Sequence, residues 1–297
     1  MSAVQIDAEA IEADLLVDAI KRRWGYDFSH YSRFSLMRRL KKACADAGYA
    51  RLSAAIEPLL YDQRFFDGFL RYMSITVTEM FRNPEYYLSV RENVLKTLRS
   101  FPFIKIWHAG CATGEEVYSM AIMLHEAGLL PRARIYATDF NKGALDVAKK
   151  GMYPADHMRR YADNYRRSGG ARDINDYFSV ESGCATVKAF VKKNVTFSYH
   201  NLAADGAFGE MHVISCRNVL IYFDKTLQGR VLTLFCESLR HGGFLCLGNK
   251  ENVHSLSSKH MFEHMDKKQR IYKKCASPTD IFQEHGRAAA PLVRAGA

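Results

Sequence analysis

One stretch constrains the fold more than any other: an apolar run, a glycine turn and the start of a helix within residues 104–121. Ile104, Ile106 and Ala109 lead directly into Gly110, and after Gly114 the apolar residues recur at helical spacing. A glycine at such a turn permits a positive φ and lets a ligand approach the backbone closely. The stretch has neither the GxGxxG pattern nor the ending of a P-loop, so alone it predicts only a strand–turn–helix unit.

A second apolar run, beginning at Arg134, ends in the acidic residue Asp139. The separation from Gly110 is that at which a Rossmann-like unit places the carboxylate that binds a ribose. Glu115 and Glu116 stand where a pyrophosphate would lie, and two carboxylates repel a diphosphate but suit a cationic ligand. These residues therefore favour S-adenosylmethionine over NAD, with an ordinary α/β unit bearing exposed acids as the alternative.

Composition limits the class of protein. The chain has 297 residues, of which 48% are hydrophobic and 25% charged, which predicts a soluble globular protein of one large or two modest domains. The first ten residues lack an apolar signal segment, and no run approaches the ~18 apolar residues of a membrane-spanning helix. The seven cysteines are scattered without a CxxC, which suits the cytoplasm and indicates neither disulfides nor zinc. His260 and His264 have helical spacing but no further ligands nearby, so we expect no metal site.

The first part of the chain, residues 1–75, is predicted to be helical and carries a basic cluster. Leu36, Leu40 and Cys44 recur every four residues, which predicts an amphipathic helix. Its exposed sides are expected to carry Arg38, Arg39, Lys41 and Lys42. Such a face is either simply solvated or a docking surface for an acidic partner. The net charge of +10 invites a nucleic-acid partner, but aromatics interleaved with the basic residues are lacking, so we favour a protein.

The remaining chain, residues 76–275, is predicted to form the α/β domain. Residues 152–194 interrupt the αβ rhythm with short alternating runs, which predicts a small β-subdomain inserted in the main fold. From Ser277 the composition turns to Ala, Gly, Arg and Pro, and we interpret residues 276–297 as a disordered tail.

Polar groups stand at the ends of four successive predicted strands. In an open parallel sheet, ligands bind beyond the carboxyl ends of the strands, where the strand order reverses. The segments that end there are Gly110–Glu115, Asp139, Asn201–Leu202 and Cys216–Tyr222. Their convergence predicts one ligand site at this edge of the sheet.

Six segments, taken in order, resemble the successive motifs of the chemotaxis-receptor glutamate O-methyltransferases, the CheR family. They are Thr78-Glu-Met-Phe-Arg82, Gly110-Cys-Ala-Thr-Gly-Glu-Glu-Val-Tyr-Ser119, Ala137-Thr-Asp139, His200-Asn-Leu202, Cys216-Arg-Asn-Val-Leu-Ile-Tyr-Phe-Asp224 and Gly242-Gly-Phe-Leu-Cys-Leu-Gly248. The segment from Cys216 to Asp224 is the most specific of them. After Gly248 the family often has a polar residue, Ser and Glu, and here Asn249, Lys250 and Glu251 follow.

The resemblance implies an all-α N-terminal domain followed by a Rossmann-like S-adenosylmethionine-dependent methyltransferase domain of the α/β class, with an inserted β-subdomain. It implies methyl transfer from S-adenosylmethionine to glutamate side chains in the cytoplasmic helical bundle of transmembrane chemoreceptors, leaving S-adenosylhomocysteine. No nucleic acid or membrane insertion is expected, and nothing in the sequence demands more than a monomer.

The same resemblance implies roles for individual residues. Arg82 is expected to hold the substrate carboxylate or neighbouring cofactor groups, and Tyr222 to orient the acceptor. Asp139 is expected to bind the ribose and Glu115 the methionine moiety. The other expected cofactor contacts are Thr76, Thr78, Gly110, Asn201, Leu202, Arg217 and Asn218. The basic helix with Arg38, Arg39, Lys41 and Lys42 is expected to dock the receptor.

Two other functions remain open from the sequence. One is a methyltransferase of RNA or of a small molecule, supported by the net charge but lacking a recognisable base-reading module. The other is a non-catalytic adapter that binds S-adenosylmethionine as a signal, against which Arg82 and Tyr222 argue because a binding module needs no acceptor-side groups.

Overall fold

A computed structural model describes residues 7–74, 76–253 and 261–275. The α-helices of these residues are α1 (Ala8–Trp24), α2 (Arg33–Asp46), α3 (Ile56–Tyr61), α4 (Gln63–Met73), α5 (Pro84–Ser89), α6 (Leu95–Leu98), α7 (Glu115–Glu126), α8 (Lys142–Lys150), α9 (Met158–Arg167), α10 (Ala189–Lys192) and α11 (Lys225–Ser238). A short π-helical segment, Val90–Val94, joins α5 to α6. The strands are β1 (Ile104–Ala109), β2 (Ala133–Asp139), β3 (Met152–Pro154), β4 (Phe178–Glu181), β5 (Cys184–Val187), β6 (Val195–Tyr199), β7 (Met211–Cys216), β8 (Leu239–Leu247), β9 (Phe262–Asp266) and β10 (Ile271–Lys274).

The first four helices form an all-α unit whose ends are set by the sequence. The Asp7 carboxylate accepts the N–H of Glu9 at the start of α1, and Gly25 ends that helix with a φ of 77°. Asp62 caps α4 in the same way as Asp7 caps α1. The buried faces of these helices join a hydrophobic cluster that also contains Trp107 of β1 and Phe235 of α11. The helical unit therefore packs directly on one face of the main sheet.

The main sheet has seven strands in the order β6-β2-β1-β7-β8-β10-β9 within the described residues. The neighbours from β6 to β8 pair in parallel, and β10 runs antiparallel to both β8 and β9. The chain adds β2 and β6 on one side of β1 and then places β7 on the other side. This reversal creates a crevice beyond the carboxyl ends of β1 and β7, where ligands of such sheets bind.

The inserted segment forms its own antiparallel sheet in the order β3-β5-β4, together with α9. A partly buried carboxylate attaches it to the main domain: Glu126 of α7 accepts hydrogen bonds from Tyr177, at 2.9 Å, and from Tyr165. Arg91 of the π-helical segment donates to the same carboxylate at 2.7 Å. Because one anion is shared by three donors from both sides, the insertion is held firmly against α7.

The fold class expected from the sequence is confirmed: an all-α unit precedes a Rossmann-like sheet that is mostly parallel. The sequence also predicts a last strand at residues 270–272, which corresponds to β10, whereas β9 has no counterpart among the predicted strands. The predicted disordered tail and the residues His254 and His260 lie outside the described residues. Within those residues, no helix combines the length and the apolar character that crossing a bilayer requires.

Candidate active site

A cavity opens at the carboxyl ends of β1, β2, β6 and β7. Its walls carry groups from both domains, among them Tyr31, Arg39, Met73, Thr76, Thr78, Arg82, His108, Gly110, Glu116, Phe140, Asp139, His200, Asn201, Leu202, Ser215, Arg217, Asn218, Val219 and Tyr222. The residues that follow the parallel strands line one side of the cavity, at the edge of the sheet. Residues of α2 and of the end of α4 line the opposite side. The strand ends that the sequence singled out therefore do meet at a single site.

The glycine turn forms one wall by close approach of two loops. Gly110 has a φ of 75°, and a Cβ at this position would lie 2.5 Å from a methyl group of Val219. Its N–H donates to the carbonyl of Thr138 at 2.8 Å, which fixes the turn to the end of β2. Any side chain at residue 110 would therefore push the two loops apart and distort this wall of the cavity.

Asp139 lies at the end of β2 with 7% of its surface exposed. One carboxylate oxygen accepts the N–H of Ala112 and the other accepts the N–H of Asn141, both at 2.9 Å. Burial raises the pKa of Asp139, and these backbone donors oppose the rise. The two bonds fix the carboxylate in one orientation, and each oxygen keeps a second lone pair for a ligand hydroxyl.

A charged cluster forms the floor of the cavity. Glu116 accepts hydrogen bonds from Ser215 Oγ at 2.6 Å, His108 Nδ1 at 3.1 Å and Arg217 Nη1 at 2.9 Å. Burial acts to raise the pKa of Glu116, but Arg217 and the donors His108 and Ser215 outweigh it and lower the pKa to about 2. The Arg217 guanidinium lies 3.8 Å from the centre of the Tyr86 ring. Glu116 is thus an anion that is 19% exposed at the cavity, held in place by Arg217.

Two arginines and a tyrosine line the cavity from other directions. Arg82 donates from Nη1 to the carbonyl of Val77 at 3.1 Å, which links it to the segment with Thr76 and Thr78. Tyr222 follows β7, and its carbonyl accepts the N–H of Ser32 at 2.8 Å, which connects the all-α unit to this turn. Burial raises the pKa of Tyr222 even though Arg39 and Arg82 oppose it, so its hydroxyl stays a neutral hydrogen-bond donor.

The predicted exposure of Arg39 is wrong. Only 6% of Arg39 is exposed, and its guanidinium lies 4.2 Å from the centre of the Tyr222 ring. Nη1 donates to the carbonyl of Met73, whereas Nε and Nη2 are buried without a hydrogen bond to any described residue. Arg39 follows Leu36 by three residues and precedes Ala43 by four, so it lies on the buried face of α2 rather than on its basic face.

The predicted location of Glu115 at the ligand site is also wrong. Every other predicted cofactor-binding residue lines the cavity, but the Glu115 carboxylate accepts the Thr113 hydroxyl at 2.7 Å and its side chain is not part of the wall. The next residue, Glu116, takes that place. The two residues differ by one step of about 100° around the helix, and the sequence does not show which of them faces the crevice.

Comparison with known proteins bears directly on this site. Residues 76–271 match the SAM-binding domain of the CheR methyltransferases, and residues 11–74 match the all-alpha domain of the same proteins. The chain belongs to the CheR methyltransferase family. This is a family of S-adenosylmethionine-dependent chemotaxis methyltransferases, and the two matches together span both walls of the cavity.

Three relatives in this CheR family show how similar the chain is to named proteins. A Pseudomonas putida protein named Cher3 is 49% identical to this chain. The match covers 89% of this chain and 97% of the Cher3 sequence, and Cher3 is itself only provisionally called a methyltransferase. A chemotaxis protein methyltransferase of Listeria monocytogenes is 28% identical over 79% of this chain and 87% of its own. Chemotaxis protein methyltransferase 2 of Pseudomonas aeruginosa is 33% identical over 63% of this chain and 67% of its own.

The cavity of this CheR-family chain fits S-adenosylmethionine. Asp139 offers a fixed, buried carboxylate for a pair of hydroxyls, and Gly110 lets Val219 pack closely against the turn that lines the cavity. Asp139 and Glu116 supply negative charge, as a cationic sulfonium ligand requires. The described residues hold no cluster of three or more His, Cys, Asp or Glu side chains that could bind a metal ion, and His264 packs its ring against Tyr272.

The predicted docking residues other than Arg39 are on the surface of α2. Arg38, Lys41 and Lys42 are exposed. Lys41 pairs with Glu9 at 2.8 Å and Lys42 with Asp46 at 3.0 Å. Arg38 has no ion pair with the rest of the described chain, so it is the cation of this face that is best placed to meet a partner.

Proposed function

We propose that this protein transfers a methyl group from S-adenosylmethionine to glutamate side chains in the cytoplasmic helical bundle of transmembrane chemoreceptors, forming glutamate methyl esters and S-adenosylhomocysteine. The observation that carries the proposal is that two guanidinium groups, Arg39 and Arg82, line the same cavity as the carboxylate of Asp139. A cofactor at Asp139 would then face two cations, which is the arrangement that an anionic acceptor requires.

The proposed reaction requires little acid–base catalysis by the protein. S-adenosylmethionine supplies an electrophilic methyl carbon bonded to a positively charged sulfur. A glutamate with a pKa of about 4.3 is already ionised near neutral pH, so no residue of this chain has to remove a proton. The task of the chain is to align the acceptor oxygen with the methyl carbon and to keep water out.

On this proposal, the acceptor-side residues act as a clamp. The planar fork of Arg82 binds the substrate carboxylate, and the neutral hydroxyl of Tyr222 donates to one of its oxygens. Arg39 stabilises the same anion through Nε and Nη2, the two nitrogens that donate to no described residue. Thr76 and Thr78 lie on the adjoining segment and close over the bound pair.

The remaining wall residues are proposed to hold the cofactor. Asp139 binds the ribose, and Gly110, Asn201, Leu202 and Asn218 line the adenosine part. Glu116, in the place expected of Glu115, faces the ammonium group of the methionine moiety. Arg217 contributes by fixing Glu116 and the cavity floor, since its side chain is only 1% exposed.

The exposed face of α2 is proposed to dock the receptor. Arg38, Lys41 and Lys42 present positive charge beside the cavity wall that α2 forms, which suits an acidic helical bundle. The reaction takes place in the cytoplasm, since that is where this region of a receptor lies.

The experiment uses S-adenosylmethionine labelled in its methyl group, the purified protein and receptor-containing membranes. We expect label on receptor-sized bands that mild alkali releases as methanol, because a methyl ester hydrolyses readily. Asp139→Ala should abolish the labelling through loss of cofactor binding. Arg82→Ala should abolish transfer while weakening cofactor binding at most moderately.

Other outcomes point elsewhere. Label in nucleic acid would favour an RNA methyltransferase. Tight cofactor binding without transfer to any acceptor would favour a binding adapter. Unchanged turnover of Arg82→Ala would refute the role assigned to Arg82 without refuting methyl transfer itself.

A further inference from the structure

The backbone on both sides of Arg82 is strained. Phe81 has a φ of 52° and Asn83 a φ of 60°, although neither is glycine. A bulky side chain is rarely found in this left-handed region, and Phe81 is also completely buried. Such a conformation persists only where the surroundings impose it, and it marks functional sites.

Three side chains from three different elements hold this strained segment. Ser119 of α7 accepts the N–H of Phe81 at 2.9 Å. Arg217, after β7, donates from Nη2 to the carbonyl of Arg82 at 3.3 Å and to Asn83 Oδ1 at 3.1 Å. The third is Asn164 of α9, whose Nδ2 donates to the carbonyl of Met80 at 3.1 Å.

Asn164 differs from the other two because it belongs to the inserted subdomain, outside the Rossmann-like core. It is 8% exposed, and Met80, which accepts its hydrogen bond, is fully buried. Two other residues of α9 contact the same segment. The centroid of the Tyr165 ring lies 5.2 Å from that of the Phe81 ring, and Arg160 forms an ion pair with Glu79 at 2.8 Å. The insertion therefore contacts three consecutive residues that lead into Arg82.

We propose that Asn164 is a positioning residue for Arg82, through which the inserted subdomain shapes the methyl-transfer site. The Asn164 amide fixes the carbonyl of Met80, this anchors the left-handed turn at Phe81, and the turn sets where the Arg82 guanidinium enters the cavity. The inference rests on the role proposed above for Arg82. It gives the insertion a part in the reaction geometry that does not depend on any partner bound to its surface.

The hydrogen bond requires a donor at residue 164. Asn164→Ala leaves the Met80 carbonyl buried without a partner. Asn164→Asp keeps the shape of the side chain but turns a carboxylate oxygen toward that carbonyl, so it should be at least as damaging. Asn175→Ala, at an exposed asparagine of the same inserted subdomain, is the matched control.

The first measurement is hydrogen–deuterium exchange of the full-length protein without substrate. We expect faster exchange in peptides that cover residues 79–85 for both Asn164 variants, with the sheet strands unchanged and the control like the wild type. Cofactor titration by calorimetry verifies that each variant is folded. Unchanged exchange over residues 79–85 would overturn the inference.

The second measurement is a double-mutant cycle in the labelling assay with receptor-containing membranes. We expect Asn164→Ala to lower kcat about tenfold or more with a smaller change in cofactor affinity, because a displacement near 1 Å is enough for such a loss. In an Arg82→Lys background, which keeps a positive charge and a residual turnover, Asn164→Ala should cause a much smaller further loss than it causes in the wild type, since both changes disturb the same contribution. An additive loss would overturn the inference.

The two proposals fail in different ways. If Arg82→Ala is inactive while Asn164→Ala exchanges and turns over like the wild type, only the positioning role fails. If Arg82→Ala keeps full turnover, the role proposed for Arg82 fails and the positioning role fails with it.

Discussion

Arg39 of the all-α unit stacks on Tyr222 of the methyltransferase domain, with the guanidinium carbon 4.2 Å from the ring centre. The contact places a cation from one domain beside a hydroxyl-bearing ring from the other, inside one cavity. Around this contact, the two domains share one hydrophobic cluster. The all-α unit thus forms part of the wall of the candidate active site and also carries the candidate docking surface.

Arg39→Gln should lower methyl transfer by about ten- to a hundredfold, since charged hydrogen bonds to an anionic acceptor contribute about 1.5–3 kcal/mol. The affinity for S-adenosylmethionine should change much less, because the proposed role of Arg39 is to bind the acceptor. Labelling rates and cofactor titration measure the two quantities separately. Lys96→Gln removes a positive charge from an exposed site outside α2 and outside the cavity lining, and it is the control. Equal losses in the two variants would show that Arg39 acts only through overall charge.

Arg38→Glu should raise the KM for the receptor more than Lys42→Glu does. Lys42 already pairs with Asp46, whereas Arg38 has no ion pair among the described residues. The difference should shrink as salt is added, because exposed charges are screened beyond roughly 8 Å at physiological ionic strength. Initial rates against receptor concentration at low and high NaCl test this. Receptor kinetics like those of the wild type in both variants would mean that this face is only solvated.

The convergence of the strand ends was predictable from the sequence alone. Each of Gly110, Asp139, Asn201 and Arg217 follows an apolar run, and parallel strands bring such positions to one edge. Local chemistry and a single topological rule therefore locate the cavity without any knowledge of side-chain contacts.

The errors and omissions have a common physical cause. Whether Glu115 or Glu116 faces the crevice depends on one helical step, and the partner that decides it, Arg217, lies about a hundred residues away in sequence. Arg39 was assigned to the exposed face because it lies in a basic run, although its spacing from Leu36 also fits the buried face. No sequence pattern indicates the role of Asn164, since its hydrogen bond to Met80 joins the inserted subdomain to a loop that is distant in sequence. Long-range polar contacts leave no period in the sequence.

Glu116 should make the stability of the protein depend on pH in acid. Its pKa is lowered from the ordinary 4.5 to about 2, so its contribution is complete above pH 4.5 and is lost as the pH falls toward 2. The shift corresponds to a loss of about 3 kcal/mol in the free energy of unfolding across that range. Urea unfolding at pH 7, 5, 4 and 3, followed by circular dichroism, measures the trend.

Glu116→Gln isolates this carboxylate from the others that titrate in acid. At pH 7 the variant should be less stable by about 3–5 kcal/mol, because Arg217 loses its buried partner. The difference in the free energy of unfolding between the wild type and the variant should decrease as the pH falls from 5 to 3. Glu57→Gln, at an exposed glutamate, should track the wild type throughout. A gap that stays constant with pH would contradict the assigned pKa.

Glu251 holds the loop after β7 by accepting four backbone N–H groups, those of Asn218, Val219, Ile221 and Gly248. Glu251 is only 4% exposed, so its hydrogen bonds are shielded from water. Glu251→Gln replaces one buried carboxylate oxygen by an amide group that donates toward N–H groups. We expect the free energy of unfolding to fall by about 1–3 kcal/mol. Cofactor affinity should fall as well, since Asn218 lines the cavity and Val219 packs against Gly110. Chemical unfolding and calorimetric titration measure the two effects, with Glu237→Gln on the exposed side of α11 as the control. If the variant loses stability but binds cofactor like the wild type, the carboxylate supports the fold without shaping the cavity.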